Sequence, residues 1–285
     1  MTQGIHIVDL KYEYPGSRQP ALLLDELDFG KAEICWIAGL GGAGKTTLCR
    51  LLAGLIPHFY RGKLSGSLQI QGQDARRLSL SEITGMIGFV MDDPFDQLTR
   101  ATYSVRDEIA FGLQNLGLPR REITMKVEES MEELGITHLA DRLPTSLSAG
   151  EQQRVVIASI TARHPQVLVM DEATNQLDPQ GAEAIFRLAT YLRSAGNTII
   201  MVEPRSDKIS QIADRLVLLH QGKVLANGPV AKVLNSGVFE NVGLSLPSYP
   251  ELASVLITGG IYSGRLPVSL SEACEMVGKI VHARR

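Results

Sequence analysis

The sequence predicts an α/β fold with a central parallel sheet, and two stretches of the 285-residue chain lead to this prediction. A glycine-rich loop at residues 39–47 lies between a short apolar run, Ile34–Ala38, and a helical pattern at residues 48–53. A second apolar run, residues 167–170, shows no alternation and ends on two carboxylates, as a central strand covered on both faces does. In open α/β sheets, ligands bind at that end of the strands.

Composition narrows the class of protein. The chain is 44% hydrophobic and 21% charged, which is ordinary for a soluble globular protein, and its net charge of −3 argues against non-specific nucleic-acid binding. The cysteines lack metal or redox spacing, and Cys35 and Cys49 lie in apolar runs, which predicts buried, reduced thiols. No 18-residue apolar window and no basic-then-apolar N-terminus occur, so we expect a cytoplasmic chain without a transmembrane helix or signal peptide.

The N-terminal part is predicted to be mainly β. Residues 5–14 and 22–29 resemble strands, and the alternating residues 67–73 resemble an edge strand or hairpin. We expect residues 1–37 and 66–73 to form an antiparallel sheet beside the glycine-rich loop. Tyr14 can stack on a purine base, although on residue type alone a place in the sheet is the better interpretation.

The remaining elements alternate between helices and short strands. The predicted helices span residues 104–116, 122–134, 148–163, 178–196 and 270–280, and the predicted strands span residues 86–91, 198–202, 216–220 and 223–226. Ser148 and Glu151 form a capping box, which alone is a sufficient structural reason for both residues. From about Asn235 the composition changes, so we expect a main domain at residues 1–234, with a helical subdomain at about 95–165, and a small C-terminal domain at 235–285.

The glycine-rich loop carries the strongest chemical signal. It fits the pattern G-x-x-x-x-G-K-[ST], whose glycines let backbone N–H groups surround phosphate oxygens. Lys45 can reach the β- and γ-phosphates of ATP, and the Thr46 hydroxyl can bind Mg²⁺. Since a strand and a helix flank the loop, a chance glycine-rich turn is the weaker interpretation. The predicted ATP-binding residues are Tyr14, Gly39, Gly41, Gly42, Ala43, Gly44, Lys45, Thr46 and Thr47.

With these motifs in order, residues 5–230 resemble the ATP-binding subunits of ABC transporters. The phosphate loop and the run ending at Asp171-Glu172 match strongly. Residues 147–151 lie where this family has its signature L-S-G-G-Q, and Leu177-Asp178 fits its D-loop. Tyr14 falls on the family's adenine-stacking aromatic, which reverses the interpretation above. The resemblance implies a P-loop NTPase core of the ABC ATPase type.

Within this family the chain most resembles the A-component, the ATPase of energy-coupling factor importers for vitamins, cobalt or nickel. Residues 92–98 resemble the Q-N-P-D-D-Q-L loop of those proteins, and residues 111–118 resemble the stretch after it. In the tail, residues 246–247, 251–253 and 266–273 resemble their C-terminal domain.

The resemblance implies ATP hydrolysis in a head-to-tail pair of ATPase subunits attached to membrane-embedded transport subunits, at the cytoplasmic face of the cell membrane. Glu172 is expected to polarise the attacking water, while Thr46, Asp171 and Asp92 provide Mg²⁺ ligands. Each ATP lies between one chain's phosphate loop and the other chain's signature. The residues expected to act on the partner's ATP are Ser148, Ala149, Gly150 and Glu151, with Asp178 in the D-loop.

Several residues depart from the family pattern. Asp92 replaces the glutamine of the Q-loop, and Pro204 replaces the switch histidine, although proline has no side-chain donor. Ala149 replaces a signature glycine, Glu151 replaces its glutamine, and Ala173 follows Glu172 where proline is usual. Nucleotide binding is therefore better supported than fast hydrolysis.

Three functions compete. The leading hypothesis is an ATPase subunit that drives a membrane importer, and the retained Glu172 favours it. The second is a degenerate subunit that binds ATP while a standard partner hydrolyses, which Asp92 and Pro204 favour. A heterodimer with a standard ATPase subunit is therefore favoured over a homodimer. The third, an ABC ATPase of DNA repair or translation, lacks support because the chain has no long coiled-coil insertion, second cassette or basic excess.

Overall fold

The computed structural model describes residues 4–204 and 206–283 and folds them into two sheets with surrounding helices. The strands are β1 (Ile5–Glu13), β2 (Leu22–Phe29), β3 (Ile34–Ala38), β4 (Lys63–Ile70), β5 (Gln73–Asp74), β6 (Ile87–Val90), β7 (Val167–Asp171), β8 (Thr198–Val202), β9 (Arg215–His220) and β10 (Lys223–Pro229). The helices are α1 (Lys45–Leu52), α2 (Leu55–His58), α3 (Leu80–Met86), α4 (Val105–Asn115), α5 (Arg120–Glu133), α6 (Ala149–Thr161), α7 (Pro179–Ser194), α8 (Ser206–Ile212), α9 (Val230–Leu234), α10 (Val238–Asn241), α11 (Ser248–Thr258) and α12 (Leu270–Ala283).

The larger sheet has the strand order β10-β9-β3-β8-β7-β6. All its neighbours pair in parallel except the β9–β10 hairpin at one edge. Every residue of β3, β7 and β8 is buried, which confirms the expectation drawn from the unbroken apolar run at 167–170.

The smaller sheet is antiparallel, with the order β2-β1-β4-β5. The expectation that residues 1–37 belong to it is wrong for β3, which pairs in parallel with β8 and β9 in the larger sheet. Strand β4 also begins before residue 67, the predicted start, because Gly66 lies opposite a bulge inside the strand pair. The register shifts there between Val8 and Lys11, and a Cβ on Gly66 would come within 2.2 Å of the Asp9 carbonyl oxygen.

The larger sheet separates two apolar layers. Along β3, Ile34, Trp36 and Ala38 face the layer that contains helices α4 to α8, whereas Cys35 and Ile37 face α1 and the antiparallel sheet. Both cysteines that flank the phosphate loop are buried, and burial raises the pKa of the Cys35 thiol to about 12. No helix among residues 4–204 and 206–283 is long and apolar enough to cross a membrane.

Trp36, the only tryptophan of the sequence, joins three parts of the chain. Its side chain is 2% exposed, and its indole Nε1–H donates to the Glu203 carbonyl oxygen over 3.3 Å. Its ring centroid lies 6.1 Å from that of Phe239, which belongs to α10. The strand that leads into the glycine-rich loop therefore contacts both the end of β8 and the C-terminal tail.

Candidate functional site

The loop at Gly39–Gly44 connects β3 to α1 and is held from outside by two other segments. The Gly222 N–H in the β9–β10 turn donates to the Ala43 carbonyl oxygen over 3.0 Å. A Cβ on Gly44, whose φ is 103°, would lie 2.8 Å from the Ala21 carbonyl oxygen. Glycine is the residue that tolerates both this positive φ and this close approach, so the surrounding segments constrain the loop at Gly44.

Lys45 is the first residue of α1 and lies over the loop. Its Nζ donates to the Gly39 carbonyl oxygen at 2.8 Å and to the Leu40 carbonyl oxygen at 3.1 Å. An ammonium has three donors, so the group retains capacity for a phosphate oxygen. No side chain of the described residues caps the N-terminus of α1, which leaves its first N–H groups available to an anion.

Asp171 ends β7 beside this helix. Its side chain is buried and accepts a hydrogen bond from the Thr46 side chain, while its Oδ1 has no hydrogen-bond partner within residues 4–204 and 206–283. Burial raises the pKa of the Asp171 carboxyl above its ordinary value, and the charges of Asp92 and Glu172 add to this effect. A cation bound at the orphaned oxygen would offset this cost.

The donor set near Asp171 fits Mg²⁺ that binds together with a phosphate ligand. No group of three or more His, Cys, Asp or Glu side chains in the described part of the chain is arranged to hold a metal. Mg²⁺ in nucleotide sites does not require such a group, since one or two carboxylates, phosphate oxygens and waters complete its coordination. Thr46 and Asp171 provide the hydroxyl and the carboxylate for this arrangement.

Glu172 follows β7 with an unusual backbone conformation. Its φ is 52°, which is rare for a residue with a side chain, and its N–H donates to the Val202 carbonyl oxygen over 2.8 Å. Its Oε2 accepts a hydrogen bond of 2.6 Å from Asn175 Nδ2. Asn175 could not be predicted as a contact of Glu172, because a three-residue spacing across a loop has no periodic signal.

Tyr14 lies just after β1 and faces the first turn of α1. Its hydroxyl is 3.3 Å from Thr47 Oγ1, and its ring meets Tyr12 edge-on with centroids 4.9 Å apart. The ring is half-buried. The structure thus brings Tyr14 to the glycine-rich loop, and stacking on adenine stays a prediction.

The segment Ser148–Glu151 forms the N-terminus of α6, and its capping box is present. The Ser148 hydroxyl donates to Glu151 Oε2 over 2.8 Å, and the Ser148 N–H reaches the same oxygen over 2.8 Å. These hydrogen bonds hold the pKa of the Glu151 carboxyl below its usual value, with a smaller contribution from Arg142, whose Nη1 lies 3.9 Å from Oε1. Ala149 is exposed, and a Cβ on Gly150 would lie 3.2 Å from the Gln176 carbonyl oxygen.

The other predicted residues lie in connecting segments. Asp92 is exposed in the loop after β6, which Gln97 fastens by accepting the Met91 N–H over 2.6 Å. Pro204 is exposed after β8, whereas the neighbouring Glu203 is buried and its Oε2 accepts a 2.5 Å hydrogen bond from Thr174. Asp178 caps α7, and its Oδ1 accepts the Gly181 N–H over 2.7 Å.

Comparison with known proteins identifies the family and fold that this chain resembles. The energy-coupling factor transporter ATP-binding protein EcfA1 of Lacticaseibacillus paracasei is 34% identical, with 92% of each chain covered. The structure of cbiO1 from Clostridium perfringens, part of the ABC transporter complex cbiONQ, superimposes with a TM-score of 0.72 and 28% identity, covering 89% of this chain and 98% of that one. The dimeric ATP-binding cassette MJ0796, solved with ADP and Pi, has the same fold, with a TM-score of 0.70, 22% identity and coverage of 79% and 98%.

Other relatives are longer. This chain spans between 42% and 46% of the length of several archaeal putative ABC transporter ATP-binding proteins, one of which, from Saccharolobus solfataricus, is 35% identical over 86% of this chain. The family model described as ABC transporter matches residues 24–175, which include the glycine-rich loop, Ser148–Glu151 and Asp171-Glu172. The chain therefore belongs to the ATP-binding proteins of the ABC transporter family.

Proposed function

We propose that this chain is the ATP-binding subunit of an importer of the energy-coupling factor type, in which ATP binding and hydrolysis drive uptake of a vitamin or a metal ion. The observation that carries the proposal is the convergence of Lys45, Thr46 and the buried Asp171 at one end of the parallel sheet. The similarity to EcfA1 and to cbiO1 over most of the chain supports the importer type.

Each residue of the site has a proposed role. The loop N–H groups and Lys45 bind the phosphates of ATP, and Tyr14 stacks on the adenine. Thr46 and Asp171, with Asp92 nearby, hold Mg²⁺, which neutralises charge on the phosphates when it is bound. Glu172 orients and polarises the water that attacks the γ-phosphate.

We also propose that the working unit is a pair of ATPase subunits on the cytoplasmic face of a membrane. Ser148 and Gly150 then contact the partner's γ-phosphate, and Asp178 lies near the contact between the subunits. The dimeric state of MJ0796 supports pairing. The archaeal relatives of about twice this length support it too, since they have room for a second unit of this size.

Asp92 and Pro204 favour a heterodimer with unequal sites. Pro204 offers no side-chain donor to the site on this chain's own loop, and the neighbouring Glu203 carboxylate is buried and accepts a hydrogen bond from Thr174. Loss of one preorganised donor typically lowers turnover about 10²- to 10³-fold. The other site uses only Ser148–Glu151 from this chain. This chain's ATP is then mostly held, and the partner's ATP is mostly hydrolysed.

The test is the ATPase activity of the purified chain, alone and mixed with its partner subunit, with the catalytic glutamate changed to glutamine in each subunit separately. We expect the partner's substitution to abolish turnover and Glu172→Gln in this chain to cost much less. Turnover of several per second by this chain alone would contradict the asymmetry. ATP binding that is indifferent to Lys45→Ala would reject the site itself.

Docking on the membrane subunits is assigned to the loop at residues 92–97 and the helices after it. Phe95 is 44% exposed on this loop, and the Arg100 guanidinium lies 3.8 Å from its ring centroid. An exposed aromatic under a cation is a suitable anchor for short helices of a partner. Phe95→Ala should weaken co-purification with the membrane subunits, whereas Phe59→Ala, which removes another exposed ring, should not. Crosslinks confined to residues 235–283 would overturn this surface.

A further inference from the structure

Asn175 contacts the residue to which the chemistry is assigned. Its Nδ2 donates to Glu172 Oε2 over 2.6 Å, a short hydrogen bond to a charged acceptor. No hydrogen bond within residues 4–204 and 206–283 occupies the second carboxylate oxygen, Oε1. One oxygen of Glu172 is therefore fixed by the protein and the other is available.

The segment that carries Asn175 is itself anchored. The Asn175 N–H donates to the Glu172 carbonyl oxygen over 3.1 Å, which closes a turn. Thr174, fully buried, fastens the turn to the end of β8 through its 2.5 Å hydrogen bond to Glu203. The amide of Asn175 is exposed, whereas its backbone belongs to a turn held by these hydrogen bonds.

The backbone of Glu172 is likewise fixed, at a φ of 52° and by its bond to Val202. Its side chain has three rotatable bonds, so a fixed Cα alone leaves the carboxylate free to sample several rotamers. The hydrogen bond from Asn175 favours one of these rotamers. Because the pair is solvent-accessible, the same bond contributes little to the stability of the fold.

We propose that Asn175 is a positioning residue for Glu172, holding Oε2 so that Oε1 receives a proton of the attacking water; this rests on the proposed ATPase function. In that step the water oxygen bonds to the γ-phosphorus while the bond from phosphorus to the bridging oxygen breaks. ADP leaves with the electron pair, and the water proton passes to Oε1. The orientation of a catalytic group strongly affects the reaction rate, since a misplacement of about 1 Å can lower the rate about 100-fold.

The experiment follows phosphate release under single-turnover conditions, with the purified chain in excess over Mg-ATP, which detects slow hydrolysis at the chain's own loop. Asn175→Ala should lower the rate about tenfold with unchanged ATP affinity, and Asn175→Asp should lower it further because it repels Glu172. Asn175→Gln, which keeps the amide, should recover part of the rate. The control is Gln176→Ala, an exposed neighbour in the same loop, which should behave as the unaltered chain.

The decisive comparison is made in a Glu172→Gln background. A residue that acts through Glu172 should have no further effect there, so adding Asn175→Ala should leave the residual rate unchanged. A tenfold loss in that background, or no loss in the single variant, would overturn the proposal while Lys45-dependent hydrolysis upheld the proposed function. Absence of any hydrolysis at this chain's own loop would overturn the role of Asn175, whereas hydrolysis at the partner's loop would leave the proposed function standing.

Discussion

The glycine-rich loop is packed against other parts of the fold, whereas the segments that contain Asp92 and Pro204 are exposed. The loop lies between β3 and α1, is held by the Gly222 turn, and faces a buried Asp171. Asp92 and Pro204, in contrast, lie exposed in loops at the ends of their strands. A side chain at Gly39 or Gly44 would collide with neighbouring backbone, whereas a change in the exposed segments costs the fold little. Of the departures from the family pattern, Asp92, Ala149 and Pro204 are exposed, whereas Ala173 is buried.

A hydrogen-bond donor restored at residue 204 tests whether this exposed segment limits the rate of ATP hydrolysis. Pro204→His should raise single-turnover hydrolysis by this chain about 100-fold, the usual value of one preorganised transition-state donor. Pro204→Ala removes the proline ring without adding a donor and should leave the rate unchanged. An equal gain in both variants would trace the effect to the backbone instead of the imidazole.

Removing the Lys45 ammonium group tests the glycine-rich loop. Lys45→Ala should weaken Mg-ATP binding about 10- to 100-fold, because a charge-assisted hydrogen bond contributes roughly 1.5–3 kcal/mol. Calorimetric titration measures this, with Lys279→Ala in the distant α12 as the matched control. Equal affinities in the two variants would place ATP elsewhere.

Two glycines of the glycine-rich loop differ in the space that a side chain would have. A Cβ on Gly39 would lie 2.5 Å from the Leu219 carbonyl oxygen, whereas one on Gly41 would meet nothing within 4 Å in the described part of the chain. Gly39→Ala should lower the free energy of unfolding by about 1–3 kcal/mol, and Gly41→Ala should change it by less than about 0.5 kcal/mol. Urea denaturation without nucleotide measures both. Equal stabilities would mean that the loop is not clamped by its surroundings.

The buried carboxylate of Asp171 should give a smaller, pH-dependent effect. A raised pKa in the folded state means that the folded protein binds more protons, so stability falls as pH rises from the ordinary Asp value through the raised one. Asp171→Asn does not titrate, so it should be more stable than the unaltered chain at pH 7 in EDTA, and this advantage should vanish in acid. Urea midpoints across pH check this sign, and added Mg-ATP should stabilise only the unaltered chain.

Local patterns predicted the nucleotide end of the molecule well. The glycine spacing, the apolar run before Asp171 and the capping box at Ser148 are each contained in a few consecutive residues, and all three have the expected structure. The helix α3 was missed, although Ser79 and Glu82 carry the same capping-box signal.

The features that the sequence could not predict depend on contacts between segments or on backbone conformations that no local pattern indicates. Whether β3 joins one sheet or the other is decided by its pairing with β8 and β9, which lie more than 150 residues away in the chain. The contact between Asn175 and Glu172 occurs beside a positive φ at Glu172, a conformation that residues with side chains rarely adopt. The roles of the individual site residues, and the boundary near residue 235, stay predictions.

Trp36 gives the protein a built-in optical probe. The sequence has no second tryptophan, so fluorescence excited near the red edge of protein absorption comes from this indole alone. Because the indole lies on the strand before the glycine-rich loop, beside the end of β8 and against Phe239, its emission senses all three regions at once. Rearrangements on ATP binding can thus be followed by intensity and quenching in the unlabelled chain.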